Sequence, residues 1–368
     1  MKISSIEFYH AKLKLKQPFI TSLGYRDHAN NMYVRILTDK GVEGWGECSP
    51  YAPINGETIE TCFHIGGIIA KRLLKKDPRE HHHISSLMDQ TIHGNTSIKS
   101  AIDMACYDIS AKYKEVPLYL YLGGSINKKV FTDYTVSVND VNKMVVDALK
   151  IKELGFPSIK VKLGDGKADD VERLRAIREA VGNLIDIRID ANQGWKVKEA
   201  IQVLNDIEEL NIQYCEEPIN RHNYFKLKKV RKNSPVKIMA DECLHDHYDA
   251  RKLIKGDHCD MFNIKLGKSS GIFKAQKIVE EATKAQIPIQ IGGFLESRIL
   301  FTANCHLAHT SDLIQHFDFD SPLFHESDPI LGGMEYQENW EIRLPELPGL
   351  GLKVDLSFLK TCPSVIIK

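Results

Sequence analysis

Apolar and polar residues alternate through KISSIEFYHAKLKL and again through NNMYVRILTD. From residue 55 the apolar positions fall three and four apart, in ETIETCFHIGGIIAKRLLKK and SIKSAIDMACYDISAKY. Period two marks a half-buried strand, and a period near 3.6 marks an amphipathic helix. The first 125 residues therefore predict an antiparallel meander, completed by GVEGWGEC after a DKG turn, and then helices. Between the first two strands, QPFITSLGYRDHANN reads as a long loop, and long loops on rigid sheets often carry function. Three consecutive histidines, His81 to His83, do not share a helix face and read as solvated surface.

From about residue 129 short apolar runs alternate with helical segments. FTDYTVSV, SIKVKLG, LIDIRID, IQYCE, KIMAD, MFNIK, PIQIG and LIQHFDFD read as eight strands. VNKMVVDALKIKELGF, ADDVERLRAIREAVG, KEAIQVLNDIEEL and IFKAQKIVEEATKA read as helices between them. Charged residues close the runs at Lys162, Asp190, Glu216, Asp241 and Lys265, in steps of 28, 26, 25 and 24 residues. Each step suits one strand, one loop and one helix, so the segment predicts a parallel barrel with a polar site on its C-terminal rim. No good helix follows Asp320, and the last stretch is strand and turn in character. Three parts result: an α+β capping domain at 1–125, a barrel at 126–325, and a segment at 326–368 that packs back on the capping domain.

Composition narrows the partners. Lys plus Arg and Asp plus Glu both number 49, so the net charge of zero offers no case for nucleic acid or an anionic membrane. The eight cysteines form no CxxC pair, and Cys106, Cys215 and Cys305 sit inside apolar runs, as buried thiols do. No run approaches the roughly 20 apolar residues of a membrane helix, and the N-terminus lacks a signal core. A cytoplasmic location is expected.

Asp190, Glu216 and Asp241 stand at three successive strand ends, which converge in a closed barrel. Three converging carboxylates need a cation, and an all-oxygen set suits a hard ion; one Mg²⁺ fits best because it keeps positions open for substrate oxygens. Lys160 and Lys162 lie two apart and point to the same side of one strand. Two ammonium groups so close lower at least one pKa, which is how lysine becomes a base near neutral pH. Lys265 lies across the barrel mouth. The set describes proton abstraction beside a metal-bound carboxylate through an enediolate, with the second lysine returning a proton on the opposite face.

KVK at 160–162, DANQGW at 190–195, EEP at 216–218, ADE at 240–242 and NIKLGKSSGI at 263–272 resemble the enolase superfamily, within it the muconate-lactonising group. That superfamily pairs Lys or His bases with Mg²⁺. The resemblance implies a (β/α)7β modified TIM barrel with an α+β cap. It implies Mg²⁺ on Asp190, Glu216 and Asp241, with Glu217 in support, and Lys162 and Lys265 as the acid/base pair, with Lys160 helping to hold a substrate carboxylate. Mandelate racemases carry His where this chain has Lys265, which disfavours that branch.

Asp318 and Asp320, in DFD, face the barrel mouth together and make a receptor for a cation such as a free α-ammonium. The DxD pattern is similar to that of dipeptide epimerases, which invert the C-terminal residue of L-Ala-L-Glu and related dipeptides. Arg26, in the loop at 17–31, is a candidate partner for an acidic substrate side chain. Thr135, Asn192, Gly293 and Leu295 are substrate contacts by position. The sequence leaves homo-oligomerisation open. O-succinylbenzoate synthase or an N-acylamino-acid racemase would use the same lysines and metal. A non-catalytic binding protein on the same barrel is the reading of another class.

Overall fold

Alternation at the N-terminus runs further than the pattern suggests. In the structure, a computed structural model that describes all 368 residues except Asp165 and the side chain of Lys167, β1 spans Ile3–Thr21 and β2 spans Gly24–Thr38. Only Ser22 and Leu23 join them. The pairing runs to Lys14↔His28, shifts, and resumes from Phe19↔Arg26 to Thr21↔Gly24. The segment expected to be a long loop is thus the tip of a hairpin. Its extra residues are absorbed as an irregularity in β1, which breaks the alternation without ending the ladder. Strand β3, Glu43–Cys48, completes the meander, and Ser364–Ile367 at the far end of the chain pairs antiparallel with β1.

Helix Thr96–Tyr113 packs against β3 closely enough to exclude side chains there. A Cβ on Gly44 or Gly46 would lie 2.1 or 1.9 Å from the carbonyl oxygens of Ala105 or Ala101, so only glycine fits. Phe8, Met32, Val34, Ile98 and Ile102 fill the space between sheet and helices. His81 is not solvated as expected. Its ring stacks on Tyr107 with centroids 3.7 Å apart and meets the Tyr121 hydroxyl at 3.1 Å, and burial lowers its pKa to about 4. The triplet opens helix His81–Thr91, which turns its first ring inward while His82 and His83 stay exposed.

A short β4, Val130–Phe131, pairs with Glu341–Arg343 of the C-terminal segment. The barrel strands follow: β5 Tyr134–Val136, β6 Ser158–Lys162, β7 Asp186–Asp190, β8 Ile212–Glu216, β9 Ile238–Ala240, β10 Met261–Lys265, β11 Ile289–Gly292 and β12 Ile314–Phe317. They form one parallel sheet in sequential order. The Asp133 N–H donates to the Phe317 carbonyl at 3.4 Å, bringing the first strand to the last. Helices cover the outside after each of the first seven strands, from Val141–Glu153 to Arg298–Ala308, whereas only one turn, Ser321–Phe324, follows β12. The architecture is (β/α)7β with an antiparallel capping sheet.

Cap and barrel are pinned together by Glu47 of β3. Its carboxylate accepts from Asn31 Nδ2 at 2.9 Å, Ser297 N–H at 2.7 Å, the Ser297 hydroxyl at 2.9 Å and Leu300 N–H at 3.1 Å. Ser297 and Leu300 lie at the start of the helix after β11, so a cap residue satisfies donors that the helix leaves open.

Candidate active site

Side chains two apart on a strand share a side, so the barrel interior is built in rows. Register places Lys162 beside Asp190, Asp190 beside Glu216, and Lys265 beside Gly292. One row deeper lie Lys160 and Arg188, then Asn263, Gln290 and His316.

Ammonium and carboxylate groups interleave at the rim. Lys160 Nζ lies 2.7 Å from Asp318 Oδ2, 2.8 Å from Glu216 Oε2 and 3.5 Å from Asp190 Oδ2. Lys162 Nζ lies 2.6 Å from Asp190 Oδ2, and Lys265 Nζ 2.8 Å from Asp241 Oδ2. Burial by itself would lower the pKa of Lys160, but Asp318, Glu216 and Asp190 outweigh it and hold the group well above its usual value. Lys265 is likewise raised, its burial outweighed by Asp241 and Glu216. Lys160 is therefore not a member of the Lys160–Lys162 pair whose pKa falls: the carboxylates around it prevail over its like-charged neighbour.

The carboxylates are held from behind. Asp190 Oδ1 accepts the Asn192 N–H at 2.8 Å. Glu216 Oε1 accepts from Asn263 Nδ2 at 2.9 Å, and its Oε2 from Gln290 Nε2 at 3.1 Å. The Tyr214 hydroxyl donates to Gln290 Oε1, which turns the amide toward Glu216. Glu217 Oε2 accepts the Asp241 N–H at 2.7 Å and so aligns the neighbouring strand end. Lys268 Nζ donates to Asp241 Oδ1 and to the Asp241 carbonyl.

Asp190, Glu216 and Asp241 are all fully buried and offer only oxygen. Asp241 Oδ2 has an ion-pair contact but no well-formed hydrogen bond. A buried all-oxygen set of this charge fits a hard divalent cation. Among the described residues, however, the acidic triple whose oxygens lie within 4.8 Å of one another is Asp133, Asp318 and Asp320. The lysine ammonium groups stand among the other three.

Asp318 and Asp320 of that second acidic cluster line the pocket. Asp133 Oδ2 pairs with Arg188 Nη1 at 2.9 Å, while its Oδ1 has no partner. Asp320 Oδ2 accepts the Thr135 N–H at 2.7 Å. Burial, with Asp318 next to it, pushes Asp133 up to about 7 and Asp320 well above the carboxylate range. Three carboxylates share Arg188 and a Lys160 already divided among other acids, so the cluster is short of positive charge.

The remaining expected residues come to the same cavity. Thr135, Asn192, Gly293, Leu295 and Arg26 line it together with Lys162, Lys265, Asp318 and Asp320. Asn192 Nδ2 donates to Glu242 Oε1 at 3.2 Å. Gly293 leaves no room for a side chain, since a Cβ would lie 2.6 Å from the Phe301 ring. The Arg26 guanidinium lies 3.8 Å from the Tyr51 ring centroid and is presented by β2. Phe19, Tyr51, Ile54, Phe294 and Phe324 make much of the remaining wall apolar. Lys268, Asp133, Arg188, Glu242 and Gln290 were not anticipated. Period two would have found Arg188 from Asp190 and Asp133 from Thr135; Lys268 follows Lys265 by three and needed the intervening helical turn, Leu266–Ser269.

Residues 4–123 match the mandelate racemase / muconate lactonizing enzyme N-terminal domain, and residues 143–358 match the enolase C-terminal domain-like family. The chain belongs to this mandelate racemase / muconate lactonizing enzyme family. It is 47% identical to the D-Ala-D/L-Ala epimerase of Cytophaga hutchinsonii over 367 residues, covering all of both chains. The crystal structure of the dipeptide epimerase from Cytophaga hutchinsonii, complexed with Mg and the dipeptide D-Ala-L-Val, superposes with a TM-score of 0.99 at 47% identity over all of both chains. The N-succinyl Arg/Lys racemase of Bacillus cereus superposes with a TM-score of 0.97 at 32% identity, also over all of both chains.

Proposed function

We propose that the chain is a magnesium-dependent isomerase that inverts the α-carbon of the C-terminal residue of a dipeptide. The observation that carries the reading is one pocket lined by Lys162, Lys265 and the buried Asp318 and Asp320, with Asp133 clustered beside the two acids. Lysines flanking a carbon serve proton transfer on its two faces. An acidic end short of positive charge serves a free α-ammonium. An N-succinyl substrate carries no α-ammonium, which sets the racemase reading second.

In this reading one lysine, as the amine, takes the α-proton and becomes an ammonium. The other, as an ammonium, delivers a proton to the opposite face and becomes the amine. The electron pair left on the α-carbon delocalises into the adjacent carboxylate. Asp190, Glu216 and Asp241 would hold Mg²⁺, whose charge favours that delocalised form. Lys162 and Lys265 must exchange their present ion pairs with Asp190 and Asp241 before either serves as a base. Lys160 stays with the acids and orients the substrate carboxylate.

The apolar wall and the relative that acts on Ala dipeptides favour a small or hydrophobic side chain on the inverted residue. Arg26, on the same wall, supports a second reading in which that side chain is acidic. The eight thiols, none of them in a disulfide, support a cytoplasmic location, and no helix among the described residues is long and apolar enough to cross a membrane.

The test is α-hydrogen exchange in heavy water with Mg²⁺, followed by NMR, on D-Ala-D-Ala, L-Ala-L-Glu and N-succinyl-arginine. Exchange and inversion of a dipeptide are expected. Turnover of N-succinyl-arginine with none of any dipeptide would reject the reading.

A further inference from the structure

Each strand-end carboxylate already has an oxygen engaged by the protein itself. Asp190 Oδ1 holds the Asn192 N–H, and Glu216 carries an amide donor on each oxygen, from Asn263 and Gln290. Asp241 Oδ1 is engaged differently, by the ammonium of Lys268. The oxygens left over, Asp190 Oδ2 and Asp241 Oδ2, lie against lysine ammonium groups, Lys162 and Lys160 for the first and Lys265 for the second.

Lys268 is entirely buried, and its three protons meet three acceptors: Asp241 Oδ1, the Asp241 carbonyl, and the Asn263 carbonyl at 3.3 Å. It does not line the pocket, so it has neither a free proton nor access to substrate. Its ammonium fixes the Asp241 carboxylate in one rotation, with Oδ1 turned away from the site and Oδ2 toward it. A carboxylate so held can offer a cation one oxygen and not two.

Oxygen count separates the two common hard cations. Mg²⁺ takes six ligands in near-octahedral geometry and keeps several waters, whereas Ca²⁺ takes six to eight and readily accepts both oxygens of a carboxylate. We propose that Lys268 is a positioning residue that restricts Asp241 to one-oxygen ligation and thereby makes the site discriminate magnesium from calcium. The inference rests on the magnesium reading above. A purely structural Lys268, there only to neutralise Asp241, would change the affinity for both cations together and leave their ratio alone.

Isothermal titration of the substrate-free protein with MgCl₂ and with CaCl₂ measures that ratio without reference to activity. The wild-type chain is expected to favour Mg²⁺. Lys268→Met is expected to shift the ratio toward Ca²⁺ by about tenfold, because Asp241 is then free to present both oxygens. Lys268→Arg, which keeps a cationic donor for Oδ1, should restore most of the discrimination. Circular dichroism shows whether Lys268→Met folds; if it does not, Lys268→Gln carries the same comparison. A wild-type chain that binds both ions equally, or a folded Met or Gln variant with the wild-type ratio, overturns the proposal. A wild-type chain that binds no Mg²⁺ fails the magnesium reading instead, and the two failures are distinct.

Discussion

Asp103 lies on the cap helix Thr96–Tyr113, yet its carboxylate meets the barrel helix Ile272–Ala285 that follows the Lys265–Lys268 turn. Its Oδ2 accepts the Phe273 N–H at 3.1 Å, its Oδ1 has no partner, and the residue is 1% exposed. Gly271 makes room for it, since a Cβ there would lie 2.3 Å from Oδ2. Burial raises the pKa from 3.8 to about 7, against the pull of the helix N–H groups and of Lys274. Between those values the native state holds a proton that the unfolded chain has released. Stability from this group is therefore complete below pH 3.8 and is lost as pH rises through about 7. The full interval amounts to about 4 kcal/mol at roughly 1.4 kcal/mol per pH unit. Asp103→Asn mimics the protonated form, keeps an acceptor for Phe273 and does not titrate. Urea unfolding at pH 5, 6, 7 and 8, followed by fluorescence, should show the variant gaining about 2–3 kcal/mol on wild type across that range, most of it below pH 7. A difference that stays flat, or that moves toward wild type as pH rises, would refute the reasoning. It would mean that the helix N–H groups hold Asp103 ionised despite its burial.

Lys162→Ala and Lys265→Ala should each lower inversion by about a thousandfold or more, because inversion needs a proton donor or acceptor on both faces. Each variant should still exchange the α-proton of one stereoisomer in heavy water, and full racemising activity in either would remove the two-lysine assignment. Asp320→Asn should raise KM for dipeptides by about tenfold or more while leaving Mg²⁺ affinity within about twofold, because Asp320 faces the acidic end and not the three strand-end carboxylates; equal losses would make it structural. Glu47→Ala leaves the Ser297 N–H, the Ser297 hydroxyl and the Leu300 N–H without an acceptor, with Asn31 Nδ2 keeping only the Leu295 carbonyl, and should destabilise the fold by about 3 kcal/mol or more, read by urea unfolding. A cost under about 1 kcal/mol would mean that water or rearrangement replaces the carboxylate.

Much of the barrel was legible because strand and helix periods are local properties. Runs ending at Lys162, Asp190, Glu216 and Lys265 become strands ending at those residues, and period two alone puts Lys160 beneath Lys162. The near-constant spacing of strand ends required that they meet at one rim. What the sequence could not decide depends on groups far apart in the chain. The hairpin tip that carries Arg26 was lost as a loop, because an irregularity in β1 breaks the alternation while cross-strand pairing continues. That Lys160 is raised could not be read from its neighbour Lys162, because the acid that prevails, Asp318, arrives from 158 residues away. Asp133 joins the acidic end only when the last strand closes on the first. Residue types and local periods thus determined which strands form and which side chains share a face. Tertiary closure decided which charges touch, and in a buried site of low dielectric that contact sets each group's protonation.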